Sequence, residues 1–380
     1  MTIVVAHAGD LSNPSGGTNR VSALAAGLQQ AGHQVVLVVP EPDGSLPDRL
    51  SDVTMSMVPV ETGGVTNQPK RAYKIARRAK QEVSERDGTL QFEHSTLAGV
   101  GSLVGCSEYV LDMHDLAFPS PLYTEQPFGT LLKAGVRWIE GRGIKKARRV
   151  ITVSGQMADL ATEEWSVSRD RFNVLPNGYF RETVEAVTPR QTDGTRVAFL
   201  GTLHPKLDVE SFVEVARFDG VDELAVIGDG AKREALEDAA HDYQSLRVYG
   251  QVPGTEAYDI IAGSSLAINP QRPSPLQRAS SPVKLYYYAA LGVPMVVSEG
   301  PDVAAQLADA GAAELVSPDE RFHERVGRLI TDQERLDWMS EMALTAASDW
   351  NWRERVRELT EIYETMANTY ADPDERAIEQ

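Results

Sequence analysis

The chain has 380 residues, 42% of them hydrophobic, with 55 acidic against 37 basic side chains and a formal charge of −18. Its single cysteine, Cys106, excludes an internal disulfide framework and a multi-cysteine zinc site and fits a reducing compartment, while the acidic balance argues against nucleic-acid binding. No apolar run approaches the roughly 20 residues that a membrane span needs, and Ile3 to Ala6 is too short for a signal sequence, so a soluble cytoplasmic protein with two domains of ordinary size is expected.

From residue 2, TIVVAHAG reads as a buried strand, followed by a polar loop, a helix with Val21, Leu24, Ala25 and Leu28 on one face, and the strand HQVVLVVP. Gly16 and Gly17 follow that first strand and precede the helix, so their bare backbone can approach a diphosphate. KRAYKIARRAK then places Lys70, Lys74, Arg77 and Arg78 along one helical side, with Ala72, Ile75, Ala76 and Ala79 along the other. Together with Arg71 and a second cluster, GRGIKKARR, it marks a basic face suited to an anionic membrane surface or an acceptor. Strands resume at Tyr109 to Asp112, followed by His114 and Asp115, and at Arg149 to Ser154, followed by a helix through Met157 and Leu160. These segments predict a parallel-sheet domain over residues 1–178.

Residues 179–194 are polar, carry Pro189 and lack apolar periodicity, so they read as an interdomain linker. A second parallel-sheet domain is predicted over 195–349, with strands at Val197 to Leu200, Glu223 to Ile227, Ser245 to Tyr249, Leu266 to Asn269 and Met295 to Ser298. In the C-terminal segment 350–380, Trp352, Val356, Leu359 and Tyr363 fall at helical spacing. That helix is expected to return toward the first domain and to end in a frayed tail.

The densest information lies between Leu266 and Ser298, which reads as strand, polar loop, helix and strand. Ser281 suits an N-cap and Pro282 the first helical position, which puts Lys284 in the first turn. A cation there opposes the helix dipole. The arrangement makes sense if an anion such as a phosphate is held by amides, Ser280, Ser281 and Lys284 together. The salt-adapted, haloarchaeal flavour of the composition, acid-rich and arginine-biased, concerns solubility and not fold.

Seven segments in order, PSGGTNRVSALAAGLQQAGHQVVLVVP, DMHDL, ITVSGQMADL, VLPNGY, FLGTL, VIGDGAKREAL and SPVKLYYYAALGVPMVVS, resemble the retaining GT-B glycosyltransferases of family 4, glycosyl transferases group 1. The resemblance covers most of the chain. It implies an α/β GT-B fold of two facing, doubly wound, Rossmann-like parallel-sheet domains with an interdomain cleft. A UDP- or GDP-linked sugar would lie in the second domain and a hydroxyl acceptor over the first, either a lipid-linked saccharide or another glycan. By the same resemblance His114 lies near the transferred sugar, and Pro176, Asn177 and Gly178 lie at the hinge. Gly201, Thr202, Gly228, Asp229, Gly230, Gln251, Val252, Pro253, Ser280, Ser281, Leu285 and Tyr287 line the donor pocket. Gly17, Lys206 and Lys284 would stabilise the departing diphosphate. No metal is implied, because such enzymes use helix dipoles and basic side chains and no Asp-x-Asp motif occurs.

The chain departs from the family at four positions. Thr202 and Leu207 stand where an arginine and a lysine usually neutralise the diphosphate, and Ala279 and Tyr287 stand where paired glutamates usually sit. A tyrosine makes one hydrogen bond but cannot grip two ribose hydroxyls as a carboxylate does. These departures leave open a second reading, a catalytically weakened GT-B protein serving as a nucleotide-sugar-binding or partner subunit. The oligomeric state is not legible.

Overall fold

The computed structural model describes residues 1–13, 15–62, 67–119, 128–205 and 207–369. The chain forms two units, residues 1–176 with 352–380, and residues 177–351.

In the first unit, β1 (Thr2–Ala6), β2 (Gln34–Pro40), β3 (Thr54–Val58), β4 (Thr89–Glu93), β5 (Tyr109–Met113), β6 (Arg149–Thr152) and β7 (Phe172–Val174) form one seven-stranded sheet. Its order is β3-β2-β1-β4-β5-β6-β7 and every pairing is parallel. Helices cover both faces of such a sheet, which is why β1 and β2 read as nearly unbroken Val, Ile and Leu runs. β4 is different. Its sequence TLQFE carries Gln91 and Glu93 into the interior, both almost fully buried.

The second unit repeats the design with β8 (Arg196–Leu200), β9 (Glu223–Ile227), β10 (Leu246–Gly250), β11 (Leu266–Asn269), β12 (Met295–Ser298) and β13 (Ala313–Val316), ordered β10-β9-β8-β11-β12-β13. Its core gathers Val197, Phe199, Phe212, Leu224, Ile268 and Val296, with Phe199 set edge-on to Phe212 at 5.1 Å. In each sheet the chain reverses its winding beside the first strand, between β1 and β4 and between β8 and β11. Ligands of doubly wound sheets lie off the carboxyl ends of the strands at that reversal. The loops after β1, β4, β5, β8 and β9 are therefore the places to look.

Residues 179–194 do not run as a free linker but belong to the second unit. They include a short helix, Arg181–Glu185, and dock on Asp259, whose side chain accepts from the Thr188 amide at 2.8 Å and whose carbonyl accepts from the Arg190 amide at 2.8 Å. The C-terminal helix, Trp352–Thr369, belongs to the first unit and buries Trp352, Val356, Leu359 and Tyr363. It reaches so close to the helix Gly16–Gln30 that a Cβ on Gly27 would stand 2.3 Å from Val356 Cγ2. Gly27→Leu is expected to push the two helices apart and cost about 1–3 kcal/mol. Hydrogen exchange should then show faster exchange confined to 352–369 and its contacts. Unchanged protection there would contradict the contact.

Candidate functional site

In the second unit, the helix Val283–Ala290 reaches the end of β8 through Tyr288 and Lys284. Its three consecutive tyrosines each reach a separate anchor. The Tyr288 hydroxyl accepts the Leu200 amide at 2.7 Å, the Tyr286 hydroxyl meets Ser281 Oγ at 2.8 Å, and the Tyr287 hydroxyl accepts the Phe180 amide at 3.3 Å. Lys284 precedes Tyr288 by one helical turn and so shares its face toward β8. Its ammonium sits 3.8 Å from the Phe199 ring centroid, and a Cβ on Gly201 would stand 2.7 Å from Lys284 Nζ. Gly201 (φ 140°) in turn carries Gly228 (φ 140°), where a Cβ would meet the Gly201 carbonyl oxygen at 2.0 Å. Gly230 is held in the same conformation, and the Gly201 amide donates to Ile227 O at 2.9 Å. A cation thus rests on a cradle of bare backbone at the ends of β8 and β9.

Several expectations for this unit need correction. Ser281 is not the N-cap of the lysine helix and Pro282 is not its first helical residue. Pro282 holds the cap position, where its ring can make no side-chain bond, and the Ser281 hydroxyl is engaged by Tyr286 instead. The Ser280 hydroxyl donates to Gln277 O at 2.7 Å, and Leu285 is fully buried, so these two contribute backbone at most. Tyr287 stacks on Tyr258 at 4.4 Å and is buried, giving it a packing role. Asp229 is fixed by the Gly230 amide at 2.7 Å and by Arg233 at 3.0 Å. Thr202, Gln251 and Pro253 are exposed and Val252 is half-buried, on the loops after β8 and β10. Leu207 and Ala279 are core residues. Lys206 lies outside the described residues.

In the first unit, the helix Gly16–Gln30 opens with a capping box: the Ser15 hydroxyl accepts the Thr18 amide and the Thr18 hydroxyl accepts the Ser15 amide at 2.8 Å. Gly16 and Gly17 are its first two residues. A Cβ on Gly17 would stand 2.9 Å from His114 Nε2, so the imidazole lies directly over the start of this helix. Burial lowers the His114 imidazole well below its ordinary value, with His94, Arg20 and His7 adding to the effect. A helix N-terminus acts in the same direction, since it disfavours a cation. His114 is therefore neutral.

Sequence reasoning missed the groups around His114. Arg20 is completely buried and grips Asp112 with two bonds, Nε to Oδ2 at 2.8 Å and Nη2 to Oδ1 at 3.0 Å, while Nη1 reaches Pro176 O at 3.3 Å. Glu93 pairs with Asp112 in register across β4 and β5. His7 and His94 follow β1 and β4, and the His94 ring lies edge-on to His114 at 6.0 Å. Glu93, Asp112 and His114 each offer a ligand atom within 4.8 Å of the others. Their chemistry does not fit a resident cation, because both Asp112 oxygens face the Arg20 guanidinium, which already supplies the positive charge. The one available signal was Arg20 itself, spaced four and eight residues from Leu24 and Leu28 on the buried helix face.

The basic helix, Gln68–Arg86, is also corrected in part. Ile75, Ala76 and Ala79 are buried as their spacing predicts, but Arg71 turns inward to the Glu61 and Thr62 carbonyls. Arg78 is half-buried, bonded to Ser56 Oγ at 2.7 Å and to Glu82 at 2.6 Å. The acid that neutralises it lies just beyond the basic run. Lys70, Lys74 and Arg77 remain exposed, with Arg77 over the exposed Tyr73 ring. A second surface lies on the helix Gly129–Lys146, where Phe128 (83% exposed), Leu131, Leu132 and Trp138 stand in solvent.

Residues 15–178 match the glycosyl transferase 4-like domain and residues 194–332 match the glycosyl transferases group 1 domain. No curated protein matches the chain by sequence. Among solved structures it is similar to sucrose-phosphate synthase from Thermosynechococcus elongatus, with a TM-score of 0.79 at 15% identity, covering 97% of this chain and all (100%) of the other. WaaG, a glycosyltransferase of lipopolysaccharide biosynthesis, gives 0.72 at 13% identity over 95% and 99% of the two chains. HepE from Anabaena, in complex with UDP-glucose, gives 0.70 at 14% identity over 96% and 100%. At these identities the likeness establishes the GT-B fold.

Two outcomes follow from the geometry. Gly201→Ala should strain a backbone held at φ 140° and displace the Lys284 ammonium, costing about 1–3 kcal/mol of stability and weakening nucleotide binding by calorimetry. Wild-type affinity in that variant would contradict the cradle. The second concerns His7, which burial, His94 and Arg71 lower from 6.5 to about 4. The unfolded chain takes up a proton that the folded chain refuses as pH falls through this window, so stability present above pH 6.5 is lost toward pH 4. Urea unfolding at about pH 7.5 and about pH 5 should show a loss smaller by about 2 kcal/mol in His7→Leu than in wild type. Equal losses would show that His7 does not set the acid limb.

Proposed function

Since this chain belongs to the GT-B glycosyltransferases of the group 1, GT4-like type, we propose that it moves a sugar from a UDP- or GDP-linked donor to a hydroxyl of a lipid-linked or glycan acceptor, with retention of anomeric configuration. It is a nucleotide-sugar-dependent glycosyltransferase, and the finer reading rests on one observation: Lys284 held over the bare backbone of Gly201. In transfer, the bond from the sugar's anomeric carbon to the phosphate oxygen breaks and a bond to the acceptor oxygen forms. Negative charge grows on the departing diphosphate, and a fixed cation with nearby amides favours that state over the ground state. The departing phosphate takes the acceptor proton, so His114 needs only to hold the sugar. Lys284 and the amides serve where other transferases use a metal, and turnover is expected to persist in a chelator.

Two surfaces support a lipid-linked acceptor at an anionic membrane. Lys70, Lys74 and Arg77 form a small exposed cationic patch in a chain of charge −18. The apolar side chains Phe128, Leu131, Leu132 and Trp138 stand in solvent at the start and middle of the helix that follows β5 in the chain, and would meet the lipid of such an acceptor. No helix among the described residues is long and apolar enough to cross a membrane, so the association would be peripheral, on the cytoplasmic face. HepE, seen with UDP-glucose, makes UDP-sugars the first donors to test. The acid excess suits a salt-rich cytoplasm, and assays belong in high salt.

Nucleotide release across a panel of UDP- and GDP-sugars should identify one donor class, and Lys284→Ala should lower its turnover roughly 100-fold. Release at the wild-type rate by the variant would remove Lys284 from the mechanism. For the membrane, sedimentation with anionic liposomes should retain the wild type and lose a Lys74→Glu, Arg77→Glu double variant. Equal retention of both, or of neither, would refute the patch.

A further inference from the structure

Sugar transfer assigns work to His114 but none to the buried carboxyl beside it. Glu93 ends β4 and is 1% exposed, and its two oxygens are in different situations. Oε1 accepts from the Gln91 side-chain amide, and the Gln91 side-chain carbonyl accepts from the Tyr363 hydroxyl of the C-terminal helix. Tyr363 can only donate to that oxygen, which orients the Gln91 amide and makes Oε1 an acceptor. Among the described residues Oε2 has no hydrogen-bond partner; it lies 3.8 Å from His114 Nδ1, which has none among them either.

The charges decide where the protons sit. Five side chains surround His114: Asp112 from β5, Arg20 from the Gly16–Gln30 helix, His94 and His7 from the loops after β4 and β1, and Glu93 itself. Arg20 and Asp112 neutralise each other in their two-bond contact. An ionised Glu93 would be a second buried anion with no cation of its own. Burial, and then the Asp112 charge, hold its carboxyl well above the ordinary range, just as burial keeps His114 neutral. Two neutral groups therefore face each other with one proton to place. Since Glu93 Oε1 is already an acceptor, the acid proton belongs on Oε2, aimed at Nδ1.

We propose that Glu93 is a positioning residue: it stays a carboxylic acid, donates from Oε2 to His114 Nδ1 when the site is occupied, and so fixes the tautomer that carries its proton on Nε2. The 3.8 Å separation is longer than a hydrogen bond, as catalytic contacts commonly are before ligand closes the site. The consequence is chemical. His114 presents an N–H, over Gly17, to an oxygen of the bound sugar, and has no lone pair there with which to remove a proton. The inference rests on the reading that His114 faces the transferred sugar.

The test uses full-length protein with 15N-labelled histidine, saturated with the nucleotide sugar that the release panel identifies, reading the His114 tautomer by long-range proton–nitrogen correlation near neutral pH, alongside donor turnover. Wild type is expected to show a protonated Nε2 and a bare Nδ1. Glu93→Gln keeps a donor in the same place and should preserve the tautomer, with kcat within about threefold of wild type. Glu93→Leu removes the donor, should let both tautomers appear, and should lower kcat about tenfold while donor KM stays within about twofold. An Nδ1-protonated or cationic His114 in the wild type overturns the proposal, and so does a Glu93→Gln variant as impaired as Glu93→Leu. Those two results do not depend on the leucine variant folding. If His114→Ala turns donor over at the wild-type rate, Glu93's part in transfer falls together with the reading it rests on. A wrong tautomer combined with an inactive His114→Ala overturns the proposal alone.

Discussion

In both sheets a candidate site side chain lies on backbone that has no Cβ to lift it away, and the neighbouring geometry depends on that close approach. His114 rests over Gly17 and Lys284 over Gly201, at separations that an alanine would already violate. The reason is common to both. Amides at the end of a strand or the start of a helix stabilise an anion only when nothing stands between them and the ligand. A bare backbone also lets a side chain from another element share the same space. Gly228 extends the principle a layer deeper, since its own lack of a Cβ is what allows Gly201 to turn as it does.

The first unit adds a buried charge pair to this scheme. Arg20, Asp112 and the Pro176 carbonyl connect the first helix, the strand bearing His114 and the end of the unit. Such a pair costs desolvation that its mutual attraction only partly returns, and removing one partner leaves an uncompensated charge. Its value here lies in what it does to its neighbours. With Arg20 bonded twice to Asp112, burial still holds Glu93 neutral, and a polar cluster exists inside a sheet.

The sequence made the two parallel sheets legible wherever strands were apolar on both faces, as in β1, β2, β8 and β11. It hid β4, because Gln91 and Glu93 interrupt the apolar run and remove the period on which recognition depends. Of the strands that escaped notice, β3, β4, β7 and β13, it is β4 that carries the partner of His114. Lys284 and Gly17 were legible because glycine before a helix and a cation in a first turn are locally unusual, whereas Gly201 was named through the family resemblance alone. The N-cap at Ser281 and the inward turn of Arg71 and Arg78 were not. Each was decided by a group elsewhere in sequence or just outside the motif: the Tyr286 hydroxyl, the Glu61 and Thr62 carbonyls, and Glu82. Local pattern fixes which residues are special, and tertiary neighbours decide which of their atoms remain available.

Because the helix Trp352–Thr369 belongs with residues 1–176, the polypeptide passes from one unit to the other twice, once leaving and once returning. The two passages lie side by side, with Tyr179 bridged to Asn351 and the Tyr179 amide donating to Trp350 O at 3.2 Å. The first unit is thus not a module that can be clipped out and exchanged as a continuous stretch. A fragment ending near residue 178 would lack the tyrosine that sets the Gln91 amide and the valine that covers Gly27. A functional graft would have to splice the last helix back onto the first half, or permute the chain so that the two become contiguous.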